Sequence, residues 1–184
     1  MGKLVVQMQL SIDGYVARTH DDDLSWVLRT LDSDYEAWGV PALWAAGFHV
    51  MGAATGKGLA EYWPTSTDPY APPMNEIPKV VFSKSLQSLD WQNTTIASGD
   101  TAEEIEKLKA STDKQVLVHG GVAFVHSLIK LGLPDEYHII THPAAVGSGL
   151  PFFPQLDEPL LMDLVETQAF KGGAVLHVYR PLRS

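Results

Sequence analysis

Three consecutive carboxylates, Asp21, Asp22 and Asp23, run into Leu24-Ser25-Trp26. An indole beside a carboxyl group can exclude water from it, which raises the pKa and equips the group to deliver a proton near neutrality. Asp23 is therefore a candidate proton relay, although three aspartates together also describe an ordinary solvated loop. Asp13, after the first apolar stretch, is the other carboxylate placed to do chemistry. The rings of Trp26, Tyr62 and Trp63 could stack on a flat heteroaromatic substrate, or equally fill a core or cover a site. His138 and His142 share one segment. On a strand they would stand roughly 13 Å apart, too far for one metal ion. No metal site is expected, and structural or surface roles are expected for these histidines.

A second kind of chemistry belongs to the backbone. Gly52 follows Phe48-His49-Val50-Met51, Ser83 follows Lys79-Val80-Val81-Phe82, and Gly120-Gly121 follow Gln115-Val116-Leu117-Val118-His119. In an open parallel sheet, ligands bind beyond the carboxyl ends of the strands. At Gly120-Gly121 the missing side chains would let a pyrophosphate approach the amides that open the next helix. A strand-to-helix turn can also need glycine for conformational freedom alone. The stretch Gly52-Ala53-Ala54-Thr55-Gly56-Lys57-Gly58 is one residue short of a P-loop and has glycine where the metal-binding hydroxyl belongs. No G-x-G-x-x-G follows the first strand, so neither a P-loop NTPase nor an ordinary Rossmann dehydrogenase is expected.

The elements that would position these groups read as follows. Lys3–Ser11 is a partly alternating, β-branched strand expected at the sheet centre. Leu31–Ala46 has helical spacing despite Pro41, Phe48–Met51 is a strand, and Thr55–Tyr62 a helix. Thr65–Pro78, with Pro69, Pro72, Pro73 and Pro78, reads as an ordered loop without helix. Lys79–Phe82 and Thr94–Ala97 are strands. Thr101 and Glu104 have capping-box spacing at the head of a helix running to about Lys109. The strand Gln115–His119 leads to a helix from Ala123 to Leu131 stopped by Gly132. Glu136–His142 is a strand and Pro143–Pro154 a loop. Met162–Ala169 and Ala174–Arg180 form a hairpin around Gly172-Gly173. Alternating strands and helices with a terminal hairpin imply an α/β fold, with a mostly parallel central sheet, helices on both faces and an antiparallel edge.

Composition bounds the partners. A chain of 184 residues with 45% apolar content suits one domain over residues 1–184. A net charge of -9 disfavours nucleic acid. The absence of cysteine removes disulfides, thiolate nucleophiles and cysteine-bound zinc. The opening Met1-Gly2-Lys3 lacks a signal-peptide pattern, and no apolar run reaches the roughly 18 residues of a membrane span. A cytoplasmic protein with no membrane partner is expected.

The segment from Gln9 to Ala17, QLSIDGYVA, resembles the S-L-D-G-x-I-A opening of dihydrofolate-reductase-like proteins related to the C-terminal reductase domain of bacterial riboflavin-biosynthesis enzymes. The resemblance continues in order through Val50–Gly52, Pro78–Ser83, Val118–Gly121, Gly132–Tyr137 and His142–Gly149. It implies a three-layer dihydrofolate-reductase-like fold, bound NADPH, and a homodimer. The implied nicotinamide site is near Val16 and Ala17. The pyrophosphate would lie at Gly52, Ala53, Ala54 and Thr55 and at Gly120, Gly121, Val122 and Ala123, with the adenosine phosphate near Ser83 and Lys84. A small pyrimidine- or pterin-like substrate would lie by Gln9, Asp13, Trp26 and Tyr62 and receive hydride, as 5-amino-6-(5-phosphoribosylamino)uracil does in riboflavin biosynthesis. One departure stands out: Ala53 occupies the position where the family usually carries an arginine against the cofactor phosphate. A non-catalytic nucleotide- or small-molecule-binding module on the same fold is the alternative. Gly121→Val is expected to abolish cofactor binding while the protein still folds.

Overall fold

In a computed structural model that describes residues 1–182, the first apolar stretch forms β1 (Leu4–Ser11), the central strand of an eight-stranded sheet. The last two residues of the expected domain lie outside the described residues. Leu4, Val6, Met8 and Leu10 bury on one face of β1, while Val5 and, by the strand period, Gln7 and Gln9 face the other. The chain continues through β2 (Tyr15–Ala17), α1 (Ser25–Leu28), α2 (Ser33–Trp44), β3 (Ala46–Gly52), α3 (Ala53–Tyr62), α4 (Ala71–Glu76), β4 (Lys79–Phe82) and β5 (Thr94–Ala97). It then forms α5 (Thr101–Ala110), β6 (Gln115–Val118), α6 (Val122–Lys130), β7 (Glu136–His142), β8 (Leu150–Pro151), β9 (Met162–Ala169) and β10 (Val175–Pro181).

The strand order is β5-β4-β3-β6-β1-β7-β10-β9; all pairs from β5 to β7 are parallel, and β10 is antiparallel to both neighbours. Between β1 and β5 the chain travels one way along the sheet, and between β5 and β7 it returns. Right-handed crossovers therefore send the two sets of helices to opposite faces. Leu43 of α2, Leu59 of α3 and Met74 of α4 pack against Val5, Met51, Val81 and Leu117. Ile105 of α5 and Val125 and Leu128 of α6 pack against Leu4, Val6, Val50, Val80, Val116 and Val118. The expected α/β architecture with its terminal hairpin is the observed one. No helix among the described residues is long and apolar enough to cross a membrane.

Several local expectations are corrected. The proline-rich segment holds a 3-10 turn, Trp63–Thr65, and the helix α4. Pro72 and Pro73 stand in the first turn of α4, where no intrahelical N–H is required and a fixed φ is an advantage. Asp100, not Thr101, caps α5 by accepting from the amides of Ala102 and Glu103, and Glu104 pairs with Lys107 instead of closing a capping box. The loop after β7 contains β8, paired antiparallel with β2. Helix α3 begins two residues earlier than its apolar spacing implies, directly from Gly52.

Candidate functional site

A cavity of about 1050 Å³ opens beyond the carboxyl ends of β1, β3 and β6. Two helices aim their N-termini at it. Helices α2 and α5 each have an aspartate side chain, Asp32 and Asp100, on their first amides, whereas α3 and α6 start at Gly52 and Gly121 with no side-chain cap. The uncapped first-turn amides of α3 and α6 lack intrahelical partners and, with the dipole, favour an anion. Ala53, Ala54, Thr55, Val122 and Ala123 all line the cavity.

The two glycine turns lock together. The Gly52 amide donates to the Gly120 carbonyl at 3.2 Å, and a Cβ built on Gly121 would lie 3.3 Å from both Gly52 Cα and Gly52 N. Gly121 has φ 83° and Gly120 φ 116°, conformations open to glycine. A side chain at Gly121 would thus press on the neighbouring turn, so Gly121→Val is expected to fold with reduced stability.

The floor is a buried polar chain. His142 Nε2 lies 2.6 Å from Gln9 Oε1, an atom that can only accept, so this ring nitrogen donates. Gln9 Nε2 in turn donates to Tyr35 Oη at 2.7 Å, and His142 Nδ1 lies 2.5 Å from Thr30 Oγ1. Burial drives the His142 imidazole down to about 4 and raises the Tyr35 phenol. The Tyr35 ring meets Trp38 and Phe170 edge-on, at 5.5 and 5.0 Å, and its own hydroxyl proton has no protein acceptor among the described residues. Gln9 and Tyr35 both line the cavity.

The aspartate run closes one end, with roles different from those expected. Trp26 Nε1 donates to Asp22, not Asp23, and Arg18 makes an ion pair with Asp22 at 3.1 Å. The Arg18 hydrogen bond holds the Asp22 carboxyl well below the usual range, so it is ionised at neutral pH. Asp23 is exposed, accepts from the Ser25 amide, and is also lowered, chiefly by that bond. Neither carboxyl group is a proton donor near neutrality. Asp13 is exposed and binds the amides of Val146 and Gly147, outside the cavity.

The structure brings Gln9, Val16, Ala17, Gly52, Ala53, Ala54, Thr55, Tyr62, Gly120, Gly121, Val122 and Ala123 to one cavity. It leaves Asp13, Asp23, Trp26, Ser83 and Lys84 out of the lining. Trp26 stands behind the wall, edge-on to His142 at 5.8 Å. Ser83 accepts from the amides of Ser85 and Leu86, and the Lys84 ammonium donates to the Ser98 and Gly99 carbonyls. Sequence reasoning missed Tyr35, chose Asp23 over its neighbour Asp22, and assigned His119 no role in the lining. The strand period carried part of that signal, since it places His119 on the face of Leu117, the side that α3 covers.

A model of the RibD C-terminal domain matches residues 2–176. The chain belongs to the RibD C-terminal domain family. Among relatives of this family member, the uncharacterized protein YyaP of Bacillus subtilis (strain 168) is 34% identical over 101 residues, 55% of this chain and 53% of YyaP. The match thus spans about half of that relative. A putative riboflavin biosynthesis protein from Shewanella sp. PV-4 is 20% identical, with TM-score 0.79 over 98% of this chain and 99% of that one. Dihydrofolate reductase from Enterococcus faecalis, solved with NADP(H), is 12% identical, with TM-score 0.64 over 98% of this chain and 96% of its own. At these identities the structural likeness establishes a shared dihydrofolate-reductase-like fold.

Within the RibD family frame, Ala53 and the tied-down Lys84 leave no protein cation, among the described residues, against the cavity beside α3. Ala53→Arg is expected to strengthen NADPH binding relative to NADH by about tenfold, the worth of one charge-assisted bond to phosphate. Lys84→Ala is expected to change NADPH affinity less than about twofold. Fluorescence titration of both variants with both nucleotides measures this. A large loss in Lys84→Ala would return the adenosine phosphate to Lys84.

Proposed function

We propose that this chain is an NADPH-dependent reductase of a small, flat heterocycle. The observation that carries the reading is the pair of uncapped helices, α3 and α6, converging through interlocked glycines on one cavity. Their amides suit a pyrophosphate, and Val16 and Ala17 form the wall beyond it. When bound, NADPH supplies a hydride, which adds to the carbon of a C=N bond while the nitrogen gains a proton. Gln9 and Tyr35, held rigid by His142 and Thr30, orient the substrate, and Trp63 and Tyr62, packed edge-on at 4.8 Å, wall off its ring from water. With Asp22 and Asp23 ionised, the proton comes from solvent.

The wall chemistry narrows the substrate. Asp22 and Asp68 line the cavity, and no lysine or arginine does among the described residues. A ribosyl phosphate would bring a dianion toward Asp68 and toward Asp22, whose charge Arg18 already offsets, with no lysine or arginine among the described lining residues to receive it. A phosphate-free heterocycle therefore suits this site better than 5-amino-6-(5-phosphoribosylamino)uracil.

Titration with NADPH is expected to quench tryptophan fluorescence and to raise the melting temperature, since a ligand at a hundred times its Kd adds about 2.7 kcal/mol. NADPH oxidation is then expected with dihydropterins or uncharged pyrimidines, and not with their phosphoribosyl counterparts. No quenching and no thermal shift at saturating NADPH would end the reductase reading.

A further inference from the structure

His49 and His119 have no part in the scheme above, yet they form a pair beneath the glycine turns, His49 buried and His119 partly so. His119 Nε2 lies 2.8 Å from His49 Nδ1, and His49 Nε2 lies 3.2 Å from the Pro73 carbonyl oxygen. A carbonyl oxygen can only accept, so the His49 proton is on Nε2. His49 Nδ1 is then a bare lone pair, which requires an N–H on His119 Nε2. Burial disfavours the charged form of both rings and brings His119 down to about 4, so each imidazole holds a single proton at neutral pH. His119 Nδ1 is consequently unprotonated. It has no protein partner among the described residues, and it is not closed off from contact as the buried unpartnered atoms Gln7 Oε1, Trp63 Nε1 and Tyr70 Oη are. His119 lines the cavity, and with Nε2 committed to His49, Nδ1 is the ring nitrogen left to meet a ligand there.

We propose that His119 is a specificity-determining hydrogen-bond acceptor whose lone pair is fixed by the His49–Pro73 chain, selecting a ligand that presents an N–H or O–H donor at the end of β6. The proposal rests on the cavity's being the ligand site. A pair serving only to fill space would leave a neutral acceptor facing a partly desolvated cavity unpaired, which is costly. Donors of the required kind are carried by the dinucleotide, in its carboxamide and ribose hydroxyls, and by a reduced heterocycle, in its ring N–H groups. Both satisfy the same lone pair.

Nitrogen-15 NMR of histidine-labelled protein tests this directly. Free protein is expected to show His119 with a bare Nδ1 and a protonated Nε2. Adding NADPH, or adding 7,8-dihydropterin to the NADP+ complex, is expected to move the Nδ1 resonance toward the hydrogen-bonded range; the first response assigns the donor to the dinucleotide, the second to the heterocycle. An Nδ1 resonance unmoved by either, while tryptophan fluorescence reports bound NADPH, overturns the proposal and leaves the reductase reading intact. Failure of NADPH to bind at all sinks that reading separately. His119→Gln can donate to His49 and accept from the ligand, so the responding ligand should keep its affinity within about twofold. His119→Leu should weaken it roughly 3- to 10-fold. His49→Gln preserves the chain to Pro73 and should behave as wild type, whereas His49→Leu should release the His119 tautomer and give mixed nitrogen resonances. Equal affinity in wild type and His119→Leu would also refute the idea; should that variant not fold, the resonances of wild type and His49→Leu decide.

Discussion

Lowering the pH from 6.5 to about 4.5 is expected to remove roughly 2–4 kcal/mol of folding stability through His119 and His142, a large share of that of an ordinary protein. His49 and His138 act in the same direction. Four imidazoles, those of His49, His119, His138 and His142, are depressed below 6.5 mainly by burial, His119 and His142 to about 4. In the unfolded chain each takes up a proton near pH 6.5, while the folded chain takes it up only at lower pH. The unfolded state therefore binds more protons throughout that window, so stability is fully present above pH 6.5 and is lost as pH falls toward 4. Solvent screens the less covered rings, which weakens their share of the effect.

Carboxylates account for little of the loss above pH 4.5. Asp22 and Glu136, held down from 3.8 and 4.5 by Arg18 and by Lys3 and Arg180 respectively, lose most of their contribution at lower pH. Denaturant unfolding at a series of pH values measures the slope, and His142→Gln should flatten part of it. A level profile between pH 6.5 and 4.5 would mean that these rings are hydrated in solution.

Gly121→Val is expected to lower stability by about 3–5 kcal/mol, a drop of about 10 °C or more in Tm for a chain of this size, and to abolish NADPH binding. Two costs combine: a β-branched side chain at φ 83°, and a Cβ within 3.3 Å of the Gly52 backbone. Gly14→Ala separates them. Gly14 has φ 85° but open space around its Cβ position, so its alanine variant bears the conformational strain alone, about 1–2 kcal/mol. Gly121→Ala should be the more damaging of the two alanine variants, because Gly52 must shift and take the head of α3 with it. Calorimetry of the three variants measures these differences. Equal losses in the two alanine variants would show that the turns are not interlocked.

Particular residues explain why some of the site was legible in the chain and some was not. Gly52 and Gly120-Gly121 each end an apolar strand and precede a helix, a local pattern that requires no knowledge of the rest of the molecule. The ordered motifs from Gln9 to Gly149 pointed to the fold through their resemblance to a family. By contrast, one of three adjacent aspartates meets Trp26, and a turn with φ 53° at Leu24 decides which. Proline in the segment before β4 read as loop because its lost N–H is costly inside a helix; at the start of α4 that cost disappears.

The sequence by itself determined most of the strands and helices, though not short ones such as α1, α4 or β8, and the bare backbone at the strand ends, since these depend on neighbours within one or two turns of chain. Their alternation implied the parallel sheet with its hairpin edge. Only the tertiary structure decided which polar groups share the cavity. His49 and His119 are 70 positions apart, and Gln9 and His142 are 133 apart. Contacts across such separations are set by strand order and helix crossover, and no local spacing encodes them.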